Sequence, residues 1–153
     1  QKNQLSWRFT GVDANAAAIA YAENHAQGFT SISYQQSLLT ASNFSSLNAQ
    51  VVLFNLFLHH FSDAEIIAFL KICRKANVTV IVNDLHRNKA AYHLFRLVSR
   101  IFRFSHISRH DGKLSVKKSF IKKDLQRLFT AAGYSNHQVK WRWAFRWVCL
   151  LKP

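Results

Sequence analysis

The stretch Val51-Val-Leu-Phe-Asn-Leu-Phe-Leu-His-His-Phe-Ser-Asp-Ala-Glu65 decides how this chain is read. Four consecutive apolar residues, Val51 to Phe54, fit a strand covered on both faces, as parallel strands are in α/β proteins. The strand is expected over residues 51–58. Asn55 and the pair His59, His60 put polar groups at its carboxyl end, the edge where open α/β sheets take their ligands. Ser62 then has the character of a helix N-cap, with Glu65 three residues on completing a capping box. This segment is therefore a candidate site as well as a piece of core.

Outward from it, β and α signals alternate. Trp7–Val12 alternates like a strand and stops at Asp13, and the alanine-rich run 14–26 is helical, with Gly28 as its C-cap. Phe29–Tyr34 is a short strand candidate ending in Gln35-Gln36-Ser37, followed by a polar stretch with a weak helix signal. Residues 63–76 form an amphipathic helix with Ile66, Ile67, Phe69, Leu70 and Ile72 inward. Val78–Val82 is rich in β-branched residues and ends in Asn83, Asp84, His86 and Arg87. This order argues for a parallel sheet with helices on both faces. The grammar then changes. Residues 90–104 read as a basic amphipathic helix, 105–119 as a loop containing Arg109-His110-Asp111-Gly112, and 122–132 as a helix closed by Gly133. Strands near 137–143 and 146–151 are too close for a crossover helix, so they form an antiparallel hairpin.

At 153 residues, 49% hydrophobic, with one proline and four glycines, the chain has the length of one ordered domain and little room for linkers. No apolar run approaches the roughly 20 residues of a bilayer span. The amino-terminal Gln1–Trp7 segment lacks an apolar leader core. Cys73 and Cys149 read as free thiols of a reducing cytoplasm, the expected location. The net charge of +14 is lopsided. Residues 1–70 carry two basic against four acidic side chains, a net of −2, and residues 71–153 carry nineteen against three, a net of +16. Such asymmetry points to an anionic partner or to a solvated basic face.

Asp13 after the first strand, the polar strand ends, the LFLHHFSD segment, the Asn83-Asp84-Leu85-His86-Arg87 and Arg109–Ser115 segments and the closing hairpin after Ala132-Gly133-Tyr134 together resemble one family. It is that of the class I S-adenosyl-L-methionine-dependent methyltransferases, of the small-molecule type related to ubiquinone and menaquinone biosynthesis. The resemblance runs from about Phe9 to Leu151. It implies a Rossmann-like three-layer α/β sandwich, mostly parallel with a C-terminal antiparallel hairpin. It also implies one methyltransferase domain over 1–153, with 89–119 as a lid-like insertion. The glycine-rich turn that wraps the methionine part of the cofactor in that family has no counterpart here, since no GxG occurs. The family's first strand, which lies in the middle of its sheet, is missing as well. The chain is thus expected to be a portion of a longer polypeptide, or to have the gap filled by another chain or closed in a homo-oligomer.

The resemblance assigns roles to residues. Asp13 binds the cofactor's ribose hydroxyls, a carboxylate being suited to a cis-diol; the plain alternative is a turn or N-cap aspartate. Ala14 and Asn15 flank the adenosine. Gln36 and Ser37 stand where an acidic residue usually meets the adenine amino group, or simply form a polar turn. Asn55 and Leu56 pass beneath the sulfonium. His59 or His60 faces the substrate as a base, since histidine titrates near neutrality; adjacent side chains diverge, so one of them packs or caps instead. Asp84, His86, Arg109 and His110 line the acceptor pocket, or Arg109-His110-Asp111 is a salt-bridged loop. A metal at His59, His60 and Asp63 is set aside, because neighbouring histidines chelate one ion poorly.

The expected activity is methyl transfer to an oxygen or carbon of a small aromatic, quinone-like or polyketide-like acceptor. Two alternatives stand beside it: a basic nucleic-acid-binding or RNA-modifying protein, with Trp141, Trp143 and Trp147 as a stacking platform, and a non-catalytic methyltransferase fragment. An anionic membrane surface is a further candidate partner for the basic helix.

Overall fold

The computed structural model describes residues 7–44 and 48–153. The amino-terminal segment read above for a leader lies, but for Trp7, outside the described residues. The chain divides into two compact units, with the boundary after Asn43.

The first unit is a β-α-β motif. Strand β1 (Phe9–Asp13) runs parallel to β2 (Ile32–Gln36), with Asp13 opposite Gln36, and helix α1 (Ala16–His25) connects them. Asn15 caps α1, its side chain accepting the amides of Ala17 and Ala18. The helix closes at Ala26, earlier than the expected Gly28, which instead makes the left-handed turn two residues on. A single helical turn, α2 (Ala41–Phe44), follows β2.

The second unit holds a four-stranded sheet in the order β3-β4-β6-β5. Strand β3 (Val51–Asn55) is parallel to β4 (Thr79–Leu85), and β6 (Arg146–Leu151) is antiparallel to both β4 and β5 (His137–Arg142). The expected closing hairpin is present. Helices α3 (Asp63–Lys75), α4 (Lys89–Ile101), α5 (His106–Lys118) and α6 (Lys122–Ala131) complete it. The Ser62–Glu65 capping box forms as read: Glu65 Oε2 accepts the Ser62 amide at 2.8 Å, and Ser62 Oγ accepts the Glu65 amide at 3.4 Å. The Ser62 hydroxyl, which donates to Glu65 Oε2 at 2.6 Å, and then the Ser62 amide hold the Glu65 carboxyl below its usual pKa.

The core is one row of alternating strand residues under a helix layer. Val80 and Val82 of β4, Cys149 and Leu151 of β6 and Phe54 of β3 are buried in register. Against the sheet, α3 contributes Ile66, Phe69, Leu70 and Cys73, and α6 contributes Leu125, Leu128 and Phe129. Each large apolar side chain so enclosed is worth about 1.5–3 kcal/mol. Cys73 and Cys149 are unpaired, and burial pushes both thiols up to about 12.

Three expectations are corrected. Strand β3 ends at Asn55 rather than residue 58, because Leu56 takes a left-handed backbone (φ 51°) and a 3₁₀ turn, Leu58–His60, follows. That turn drives Leu58 fully into the core. Nor is β3 covered on both faces: Leu53 is 59% exposed, since only Val52 and Phe54 turn toward the interior. Residues 106–118, read as loop, are helix α5, capped by Ser105, whose hydroxyl accepts the Ser108 amide. Among the described residues, β1 pairs only with β2 and β3 only with β4, so each keeps one edge without a strand partner.

Candidate functional site

Five of the seven expected cofactor residues, Asp13, Ala14, Asn15, Gln36 and Ser37, lie in the first unit at the carboxyl ends of its parallel strands. Asp13 Oδ1 accepts the Asn15 amide at 2.8 Å, and the Ser37 amide donates to the Asp13 carbonyl at 2.9 Å. Gln36 Nε2 donates to the Ala14 carbonyl at 3.4 Å, and its side-chain oxygen accepts from no group among the described residues. Asp13 and Gln36 are both exposed. The turn is thus tied together by its backbone, and the Asp13 carboxylate keeps Oδ2 free to accept. Asn15 differs: its side-chain oxygen is spent on the α1 cap, its N–H on Asp13 and its carbonyl on the Ile19 amide, so its side-chain nitrogen is what remains to meet a ligand.

These residues fit the adenosine half of S-adenosyl-L-methionine, whose hydroxyls and amino group need acceptors. The methionine half has no such cradle among the glycines. Gly11 lies within β1, Gly112 within α5, and Gly28 and Gly133 follow helices. A Cβ at Gly11 would stand 2.7 Å from the Tyr34 ring, so that glycine serves packing.

In the second unit, β3 and β4 end side by side. Asn83 Nδ2 donates to Asn55 Oδ1 at 2.7 Å, and the Leu56 amide donates to the Asn83 carbonyl at 2.8 Å. Strand alternation turns Val80, Val82 and then Asp84 to the same interior face. Asp84 is fully buried. A lone carboxylate there would be costly, and it is met by three donors. His59 Nδ1 lies 2.7 Å from Oδ1, the Leu85 amide donates to Oδ1 at 2.7 Å, and the His59 amide donates to Oδ2 at 3.3 Å. Asp84 therefore faces His59 rather than open space, and a substrate-binding role for it does not match its enclosure.

The two histidines separate as neighbours must. His59 is buried, and His60 is exposed with its ring 4.1 Å from that of His59. Packing along one side of His60 lowers its pKa, and His59 lowers it further, against a raising effect of Asp84. An aromatic cluster fixes the turn that carries them: Phe57 stacks on Phe54 at 5.5 Å and lies 4.6 Å from Phe61, and Phe61 meets Phe69 edge-on at 5.2 Å.

The other expected substrate residues lie elsewhere in this unit. His86 is half-buried, its ring set edge-on to Trp147 at 4.9 Å, with Nδ1 enclosed and unpartnered among the described residues. Burial lowers its pKa. Trp147 is itself buried and donates Nε1–H to the Phe120 carbonyl at 3.0 Å, which removes it from any stacking platform with Trp141 and Trp143. Arg109 and His110 line a cavity of about 290 Å³ between α4 and α5, together with Arg96, Arg100, His106 and Lys113. The last four went unnoticed as site residues. Their signal was helical spacing, since Arg96 and Arg100 are four apart and 106, 109, 110 and 113 fall on one helix face. His110 Nδ1 is 3.5 Å from Asp111 Oδ1, an exposed contact, but Arg109 has no ion pair among the described residues and the segment is helix, not a salt-bridged loop. No described helix is long and apolar enough to cross a membrane.

No family model and no curated protein matches this chain. Solved structures do. Human N-acetylserotonin methyltransferase in complex with SAM is 14% identical, with a TM-score of 0.62 over 95% of this chain and 40% of that one. The plantazolicin methyltransferase BamL, solved with SAH and a triazolic desmethylPZN analog, is 13% identical, with a TM-score of 0.65 over 95% of this chain and 68% of that one. The pyocyanin biosynthetic protein PhzM is 9% identical, with a TM-score of 0.64 over 98% of this chain and 52% of that one. The chain thus spans about half the length, or less, of two of these three proteins. The likeness embraces nearly all of its own residues, and its fold is the one these methyltransferases carry.

Proposed function

We propose that this chain serves S-adenosyl-L-methionine-dependent methyl transfer to an oxygen or carbon of a small aromatic, quinone-like or polyketide-like acceptor. The observation that carries the reading is the buried His59–Asp84 pair at the carboxyl ends of neighbouring parallel strands. An ionised carboxylate only accepts, so His59 Nδ1 holds the hydrogen and Nε2 offers its lone pair. His59 takes the acceptor's proton at Nε2 as the nucleophile forms, and Asp84 stabilises the imidazolium at 2.7 Å. His60, exposed beside it, borders the acceptor.

S-adenosyl-L-methionine, when bound, supplies an electrophilic methyl group on its sulfonium. The free Asp13 oxygen holds the ribose hydroxyls and the Gln36 side-chain carbonyl accepts from the adenine amino group. Ala14, Asn15 and Ser37 line that turn, and in the second unit Asn55 and Leu56 stand at the end of β3 beside Asn83. The resolved SAM and SAH complexes of two structurally similar methyltransferases support the cofactor, and their small-molecule names support the acceptor class.

Calorimetric titration of S-adenosylhomocysteine into the chain tests the reading. Saturable binding is expected, and Asp13→Ala weakens it by about 2 kcal/mol, roughly thirtyfold, the worth of a charged hydrogen bond. His59→Gln keeps that binding while losing transfer. A chain that takes up no S-adenosylhomocysteine refutes the proposal.

A further inference from the structure

Helices α4 and α5 cross closely, because Gly112 has no side chain where the Phe95 ring packs; a Cβ there would stand 2.2 Å from it. Beside this crossing the two helices line the 290 Å³ cavity, which is open to solvent on one side. Arg96 and Arg100 enter from α4, and Arg109 and Lys113 from α5, each pair one helical turn apart. His106 and His110 complete the wall. No carboxylate lines it.

Four cations around one cavity repel each other, Arg96 and Arg100 from exposed positions and Arg109 and Lys113 from half-buried ones, and an anion between them relieves that repulsion. None of the four is ion-paired among the described residues, although the same unit pairs Arg87 with Asp124 and Arg127 with Asp63 at 2.7 Å. Arg109 adds a sharper sign. Its Nε is enclosed yet lacks a hydrogen-bond partner among the described residues, a donor that native structures rarely leave unmet.

We propose that the α4–α5 cavity is an oxyanion site that seats the phosphate group of a ligand. Planar guanidinium forks from two helices suit a tetrahedral, multiply charged oxyanion better than a single carboxylate. Lys113 adds a point charge, and the ring nitrogens of the two histidines add hydrogen-bonding groups to the wall. The phosphate reaches the site on a soluble compound or on a lipid headgroup. The exposed Leu94, Leu97 and Ile101 border the basic face of α4, as they would beside an acyl surface. The assignment is independent of methyl transfer and of the first unit.

Two arms test it on the full chain. The first titrates inorganic pyrophosphate by calorimetry at fixed ionic strength. The second measures co-sedimentation with phosphatidylcholine vesicles, with and without phosphatidic acid. Arg109→Gln and Arg96→Gln are expected to weaken whichever binding occurs by about tenfold or more each. The double variant Lys122→Gln/Lys123→Gln, exposed on α6 away from the cavity, changes it little. Circular dichroism confirms that each variant is folded. Pyrophosphate binding alone assigns a soluble ligand, and phosphatidic-acid-dependent sedimentation alone assigns a headgroup. Binding in neither arm overturns the proposal, as does binding that the α6 variant weakens as much as Arg109→Gln.

Discussion

His59 Nδ1 and Asp84 Oδ1 lie 2.7 Å apart in the interior, joined across 25 residues of sequence. The pair ties the 3₁₀ turn after β3 to the end of β4, and the Asp84 carboxylate also takes the Leu85 and His59 amides. Removing it leaves three buried donors unmet. Asp84→Ala should destabilise the fold by about 3 kcal/mol. Asp84→Asn, which keeps an accepting oxygen, should cost less. A double-mutant cycle with His59→Phe in urea should give a coupling of roughly 1–2 kcal/mol. Additive single effects would mean that the contact does not act as a pair.

Gly112 poses two opposed effects whose magnitudes decide the sign. Alanine is favoured over glycine inside a helix by about 1 kcal/mol. Its Cβ, however, would meet the Phe95 ring at 2.2 Å, and overpacking typically costs about 1–3 kcal/mol. Gly112→Ala should therefore destabilise the protein slightly and widen the α4–α5 crossing. In a Phe95→Leu background the clash is relieved and only helix propensity remains. There the same substitution should raise the urea midpoint. A drop of equal size in both backgrounds would refute the packing account.

Strand and helix identity were legible where periodicity was carried by apolar side chains. Val78–Val82, the 63–76 helix with its Ser62–Glu65 cap, and the closing hairpin are of this kind. Two of the misreadings come from polar residues holding core-facing positions. Asp84 continues the Val80–Val82 row inside β4, because His59 and two amides satisfy it and β6 pairs with the strand through Leu85. Helix α5 was hidden because its inward stripe is Arg109, Gly112, Lys113 and Val116, where Asp111-Gly112 mimics a turn. The Leu56 left-handed turn left no signal, since leucine rarely adopts that backbone. The Asp13 turn was readable because its residues are adjacent in sequence. The His59–Asp84 contact was not, because both residues were visible at strand ends while their distance depended on β3–β4 register.

His86 sets a pH dependence whose direction follows from its burial. Its folded pKa lies below the usual 6.5, so on acidification the unfolded chain takes up that proton first. Its contribution to stability is therefore complete above about pH 6.5 and is lost as pH falls through the folded value. His60, lowered chiefly by burial as well, acts in the same direction. His86→Phe keeps an aromatic ring against Trp147 and removes both the titration and the unpartnered Nδ1. The variant should match the parent near pH 7 and exceed its melting temperature near pH 5, giving a shallower slope between them. Adding His60→Gln should flatten the slope further. Thermal melts across that range decide the matter, and an unchanged slope in His86→Phe would show that this imidazole is not what couples folding to protons.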